Sequence, residues 1–248
     1  MSGAVLKLEE VRMAFGGLIA VDDVSFEVTP GEIVGIIGPN GAGKTTIFNA
    51  VSGYYRPTRG RISFLGQDVT GRQPYELAAM GIGRTFQIVK PFAGLSVLEN
   101  ILVASYLRHP HQGEARSKAW EVLRFIGLAD RADLAAAGLT LAGRKRLEMG
   151  KALALEPKLL LLDEVVAGLN PTEADQTVQL ILKIRDTGVT ILIVEHIMRV
   201  IMKISTRIIV LNYGRMIAQG RPEEVARDRQ VIEAYLGESA EATGGSTP

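Results

Sequence analysis

The residues Gly38-Pro39-Asn40-Gly41-Ala42-Gly43-Lys44-Thr45 constrain this 248-residue chain more than any others. They match the pattern Gly, any four residues, Gly-Lys-Thr, of which the chain's own composition predicts about 0.01 chance occurrences. The apolar run Glu32–Ile37 stands before the loop, and a segment of helical spacing opens near Lys44. Glycines let consecutive backbone N–H groups turn inward around phosphate oxygens. The partial positive charge of a helix N-terminus adds to that attraction. Lys44 is predicted to reach the β- and γ-phosphates of a nucleotide, and Thr45 Oγ1 to ligate magnesium.

A second strand carries the complementary chemistry. Leu159–Leu162 is a continuous apolar run bounded by Pro157, as expected of a parallel strand buried on both faces, and it ends in Asp163 and Glu164. Ligands of parallel α/β sheets bind at the carboxyl ends of the strands. Asp163 is therefore predicted to hold magnesium through water, and Glu164 to polarise an attacking water.

Around these two strands the chain alternates. Val5–Phe15, Ala20–Val28 and Arg61–Leu65 read as short strands, with Thr29-Pro30-Gly31 as a turn. Pro74–Met80, Ser96–Leu107, Glu114–Gly127 and Arg144–Leu155 show helical spacing. Asn170-Pro171 reads as an N-cap followed by proline at the first helical position, in a helix running to about Thr187. Val189–Glu195 and Arg207–Leu211 are further buried-type strands. The order predicts an α/β domain with a mainly parallel sheet. The stretch 95–155 breaks the alternation and is expected to form an inserted helical subdomain. Residues 238–248 are small and polar, and are expected to be a disordered tail.

Composition removes several function classes. The chain has no cysteine, which excludes disulfides, thiolate metal sites and cysteine nucleophiles. Lys+Arg number 28 and Asp+Glu 27, so nothing points to a nucleic-acid partner. His109-Pro110-His111 resembles a chelate fragment but lies in a polar connector without an acidic cluster, and reads as a plain loop. No run approaches the ~18 apolar residues of a membrane span, and the N-terminus lacks the apolar region of a secretory signal. A cytoplasmic protein that meets membranes only through a partner is expected.

Taken together, these residues resemble the nucleotide-binding subunit of ABC transporters over about residues 6–237. Gly38, Pro39, Asn40, Gly41, Ala42, Gly43, Lys44, Thr45 and Thr46 correspond to its Walker A loop, and Phe15 lies where an aromatic residue stacks on adenine. Gln87, in Gly83-Arg84-Thr85-Phe86-Gln87, looks like the glutamine that contacts magnesium and the attacking water and reports to the membrane subunit. Leu139–Gly143 occupies the place of the LSGGQ signature, Leu159–Glu164 that of Walker B with the catalytic glutamate, and Ala167–Asn170 that of the D-loop. His196, at the end of a strand, resembles the switch histidine beside the γ-phosphate. The resemblance implies a P-loop (RecA-like) core with a small antiparallel β subdomain, all within an ATPase domain spanning 1–237. Glu164, His196 and Lys44 would carry catalysis, and Thr45, Gln87 and Asp163 would hold magnesium. ATP and Mg²⁺ are the implied cofactors.

In such systems two cassettes close head to tail, the signature of one completing the ATP site of the other. The implied partners are two transmembrane permease subunits, a second ATPase subunit (homologous, or this chain as a homodimer) and an extracytoplasmic solute-binding protein. The implied location is the cytoplasmic face of the membrane. Gly83–Gln87, Ala167–Pro171, Glu195-His196 and the ending Ile232–Gly237 look most like the ATPase subunits of branched-chain amino acid importers. Urea importers and the lipopolysaccharide-export ATPase share several of these features. A soluble non-transport ABC ATPase and a regulatory pseudo-ATPase are the remaining alternatives. The first usually has two cassettes or a long coiled coil, and Asp163, Glu164 and His196 argue against the second. The signature departs from the family: Thr140 replaces serine, and Leu141 and Ala142 replace two glycines. Thr140, Ala142 and Gly143 are still the expected phosphate contacts, with Ala142 expected to tolerate a left-handed turn less well than glycine. The apolar residues Ile88, Val89, Pro91 and Phe92 after Gln87 are expected to dock a permease.

Overall fold

A computed structural model describes residues 3–87 and 89–235. The expected tail at 238–248, together with Ile88, Leu236 and Gly237, lies outside the described residues. The chain forms two compact units, one of residues 1–73 with 192–248 and one of residues 74–191.

The first unit opens with β1 (Leu6–Phe15) and β2 (Leu18–Val28), an antiparallel pair in which Leu6 faces Val28 and Phe15 faces Leu18. Leu6 and Leu8 and, past a register shift, Val11 and Met13 are buried, so each half of β1 turns its apolar residues to the core with a period of two. Next come β3 (Ile33–Ile37) and α1 (Lys44–Val51), joined by the glycine loop. All five residues of β3 are buried. Then β4 (Arg59–Phe64) pairs antiparallel with β1, and the short β5 (Gln67–Asp68) with β4.

The second unit begins with α2 (Pro74–Met80) and β6 (Ile82–Arg84). Three α-helices follow: α3 (Val97–Ser105), α4 (Gln112–Phe125) and α5 (Leu141–Leu153), with 3₁₀ turns at Ala129–Arg131 and Ala136–Gly138. The helices pack closely. A Cβ at Gly150 of α5 would stand 2.8 Å from Ile101 Cδ1 of α3 and 2.6 Å from Ile126 Cδ1. β7 (Leu159–Asp163) runs parallel to β6, with Ile82 opposite Leu159 and Arg84 opposite Leu161. α6 (Pro171–Asp186) starts at a full capping box, Asn170 Oδ1 accepting from Glu173 N and Glu173 Oε2 from Asn170 N, with Pro171 in its first turn. This unit is wider than the helical stretch 95–155, since β6, β7 and α6 belong to it as well.

The chain returns to the first unit within β8 (Thr190–Val194), then forms α7 (Met198–Ile204), β9 (Arg207–Asn212), β10 (Arg215–Gly220) and α8 (Pro222–Val225). β9 is parallel to β3, Ile37 facing Val210, and β10 turns back antiparallel on β9. No helix among the described residues is long and apolar enough to cross a membrane.

Candidate functional site

The glycine loop owes its shape to what surrounds it. Gly38 and Gly43 have φ of 149° and 99°, values that side chains disfavour. A Cβ at Gly38 would collide with the Leu211 carbonyl oxygen of β9, and one at Gly43 would stand 2.5 Å from the Ala20 carbonyl oxygen of β2. The β9–β10 turn ties the loop down from the same unit: Gly214 N donates to Ala42 O at 3.2 Å, and Asp22 N to Gly214 O at 2.8 Å. Lys44 is buried and folds back over the loop, its Nζ donating at 2.7 Å to the carbonyl oxygens of both Gly38 and Pro39. Asn40, Gly41 and Thr45 are exposed, Pro39 and Thr46 half-buried, and Ala42 buried. The loop thus offers a helix N-terminus, a hydroxyl and an ammonium at one turn of backbone.

Phe15 ends β1 and is 44% exposed, more than a core aromatic would be. Its ring meets Tyr55 edge to face, centroids 5.2 Å apart. His196 follows β8 as an exposed residue at a bend, directly after the buried Glu195.

In the second unit the parallel register does the placing. Arg84 stands opposite Leu161. Three residues further along each strand are Gln87 and Glu164, and Gln87 Nε2 donates to Glu164 Oε2 at 2.7 Å. Asp163 is buried at the end of β7, where Arg84 Nη2 lies 3.5 Å from its Oδ2 and Thr85 Oγ1 accepts from its backbone N–H at 3.1 Å. Glu164 has a left-handed backbone, φ 48°. Lys145 Nζ, from the second turn of α5, donates to the Glu164 carbonyl oxygen at 2.6 Å.

The altered signature differs from expectation. Thr140 is the N-cap of α5, with φ −62° and ψ 167°, and its Oγ1 accepts from Gly143 N at 3.2 Å. Leu141, Ala142 and Gly143 form the first helical turn, and none of them has positive φ. The helix expected near Arg144 therefore starts three residues earlier. Ala142 occupies a right-handed position that it favours over glycine, so the expected strain there does not arise. Leu141 is exposed and lies over the D-loop, where a Cβ at Gly168 would stand 3.1 Å from Leu141 Cδ2.

Sequence reasoning did not single out Tyr55 or Asn100, and it gave Arg84 and Thr85 no role beyond standing in the stretch that ends at Gln87. Asn100 is fully buried on α3: its Oδ1 accepts from Phe92 N at 2.9 Å, and its Nδ2 donates to the Phe92 and Ser96 carbonyl oxygens at 3.1 and 2.9 Å. It fixes the loop after Gln87, leaving the Phe92 ring 49% exposed with Lys151 Nζ 5.2 Å from its centroid. The residues assigned to a metal are a hydroxyl, an amide and a carboxylate, each able to offer a hard oxygen donor. That chemistry fits magnesium.

Comparison with known proteins shows the family. The ABC transporter family model matches residues 21–167, and a model of the branched-chain amino acid ATP-binding cassette transporter matches residues 215–241. The high-affinity branched-chain amino acid transport ATP-binding protein LivG of Escherichia coli K12 is 42% identical over 255 residues, covering 96% of this chain and 100% of LivG. A crystal structure of an ATP-binding cassette of an ABC transporter in its ADP conformation superposes with TM-score 0.87 at 32% identity, covering 95% of this chain and 99% of that one. A dimeric cassette in a post-hydrolysis state bound to ADP and Pi superposes with TM-score 0.78 at 26% identity, covering 88% and 98%.

Proposed function

This chain belongs to the ABC transporter ATP-binding family, and on that footing we propose that it is the ATP-hydrolysing subunit of a branched-chain amino acid importer. The observation that carries the hydrolytic half is the Gln87–Glu164 hydrogen bond, which aims an amide and a carboxylate together from the ends of two parallel strands. The substrate class is supported by the identity to LivG across nearly all of both chains and by the second family model at residues 215–241.

Water attacks the γ-phosphorus of ATP, the bond to the β–γ bridging oxygen breaks, and ADP and phosphate leave. Glu164 accepts the water's proton and Gln87 holds the carboxylate in line for it. Lys44 and His196 balance charge on the γ-phosphate, while the Walker A backbone N–H groups of residues 40–46 cradle the phosphates. By motif, Thr45, Asp163 and Gln87 are the residues that would hold magnesium. Magnesium supplies neutralisation of the phosphate charge. Phe15, with Tyr55 at its edge, offers adenine a face. Thr140, Ala142 and Gly143 present a capped helix N-terminus to the ATP of a second cassette, either another copy or a homologue. Two permease subunits and an extracytoplasmic binding protein complete the system. The exposed Phe92 supports docking to a permease, and hence a peripheral place on the cytoplasmic membrane face.

The test is uptake of radiolabelled leucine, isoleucine and valine by cells lacking this chain, complemented with wild type or Glu164→Gln. Uptake restored by the wild type alone is expected. Undiminished uptake in the deleted cells, with loss of urea uptake instead, would move the chain to a sister system.

A further inference from the structure

The backbone at Glu164 calls for an explanation. A left-handed residue with a side chain costs about 1–2 kcal/mol and persists only where its surroundings impose it. β7 imposes it from one side: Leu159 to Leu162 are all fully buried, so the strand before Glu164 is fixed. From the other side comes Lys145. It is 95% hidden from solvent, and its ammonium donates to the main-chain oxygen of Glu164 at 2.6 Å. That bond holds the peptide plane between Glu164 and Val165. The carbonyl carbon so held is placed by rotation about N–Cα, and the same rotation, at φ of 48°, sets the direction in which Cβ and the carboxylate leave the backbone toward Gln87.

We propose that Lys145 is a positioning residue for hydrolysis, holding the Glu164 backbone in the conformation that aims its carboxylate. The proposal rests on the reading of Glu164 as the base. It also gives α5 a second task. The helix that carries Lys145 is the one whose first turn begins at Thr140, so the presented signature and the aim of the base are set by one rigid element. Displacement of α5 along its axis moves both together. When Lys145 is lost, the peptide relaxes toward ordinary φ and the carboxylate turns from its line. Binding of ATP at the Lys44 loop does not depend on it.

The experiment compares purified full-length wild type, Lys145→Met, Lys145→Arg, Glu164→Gln and the double variant Lys145→Met/Glu164→Gln. The measurements are steady-state and single-turnover ATP hydrolysis, KM for ATP and thermal unfolding. Loss of one charge-assisted hydrogen bond predicts a kcat about 10–100-fold lower in Lys145→Met. KM should stay within about twofold and Lys145→Arg should recover most of the rate, since a guanidinium also donates to a carbonyl. In the Glu164→Gln background the same change should cost nothing further, because two residues acting through one group are not additive. Wild-type kcat in Lys145→Met overturns the proposal, as does an equal loss in both backgrounds. If Met at 145 prevents folding, Lys145→Leu, which likewise has no donor, replaces it in every comparison. An unfolding transition lowered in step with kcat then overturns the proposal in favour of a purely structural role. Retained turnover in Glu164→Gln would overturn the base assignment and this proposal together. An inactive Glu164→Gln beside a fully active Lys145→Met overturns this proposal alone.

Discussion

Gln87 Nε2 donates to Glu164 Oε2 at 2.7 Å, across two parallel strands whose ends bring the residues together from 77 positions apart. A hydrogen bond to a carboxylate fixes where its second oxygen points. Removing the amide in Gln87→Ala should lower kcat about tenfold to a hundredfold with little change in KM, the signature of a contact that matters in the transition state. Glu164→Gln should go further, losing 10²-fold or more of turnover, as expected on loss of a general base, while still binding ATP. Phosphate-release assays beside nucleotide-binding titrations separate the two.

Lys44→Ala acts at the other end of the reaction. Its Nζ lies over the loop, bonded to Gly38 O and Pro39 O, in reach of whatever the loop cradles. Loss of the charge should weaken ATP binding by about 1.5–3 kcal/mol, measured by calorimetric titration. Binding unchanged from wild type would contradict the assignment of this loop.

Two glycines of the same loop should respond differently to alanine. Gly38 has a carbonyl oxygen where a Cβ would go, whereas Gly41, at φ 76°, has nothing within 4 Å. Gly41→Ala should cost about 1–2 kcal/mol of stability, the left-handed penalty alone. Gly38→Ala should cost at least about 3 kcal/mol, since backbone must move as well. Urea unfolding of the two variants gives both numbers.

Phe92→Asp should fold normally, because the ring is half exposed and Lys151 stands beside it to receive a carboxylate. We expect a stability change below about 1 kcal/mol, unchanged basal ATPase activity and loss of co-sedimentation with permease-containing membranes. A collapse in unfolding temperature would show the ring to be core, and retention on membranes would remove this loop from the docking surface.

Restoring glycine to the signature should not help. Leu141 and Ala142 are helical, so Leu141→Gly/Ala142→Gly should lower stability by up to about 1 kcal/mol per site and leave the ATPase rate no higher. The altered residues are then no handicap to a homodimer, and they give no ground for requiring a partner ATPase. A double-glycine variant faster than wild type would reverse that conclusion.

Much of this is legible in the sequence where local chemistry decides the outcome. The continuous leucines of β7, bounded by Pro157, fit a buried strand, and Asn170-Pro171 spells a helix start without any tertiary help. The glycine loop announces itself for the same reason. What escapes is set by contacts across long stretches of chain. Lys145, in the run Arg144–Arg146, reads equally as a solvated face or as a surface near nucleotide until α5 is laid beside Glu164, 19 residues on. Arg84 meets Asp163 only because β6 and β7 are adjacent and in register, a pairing no periodicity announces. The start of α5 is hidden in the sequence because Thr140 reads as a phosphate contact, whereas its hydroxyl first caps its own helix.

The collar of backbone around the glycine loop has a consequence for the order in which the molecule matures. Gly38 lies against Leu211, and Ala42 is bonded to Gly214, residues made some 170 positions after the loop itself. During synthesis the motif emerges early but lacks the strand and turn that bend it. The loop therefore gains the contacts that shape it only once β9 and the turn after it have been made, so the residues that would grip a nucleotide are among the first synthesised and among the last to be held in place.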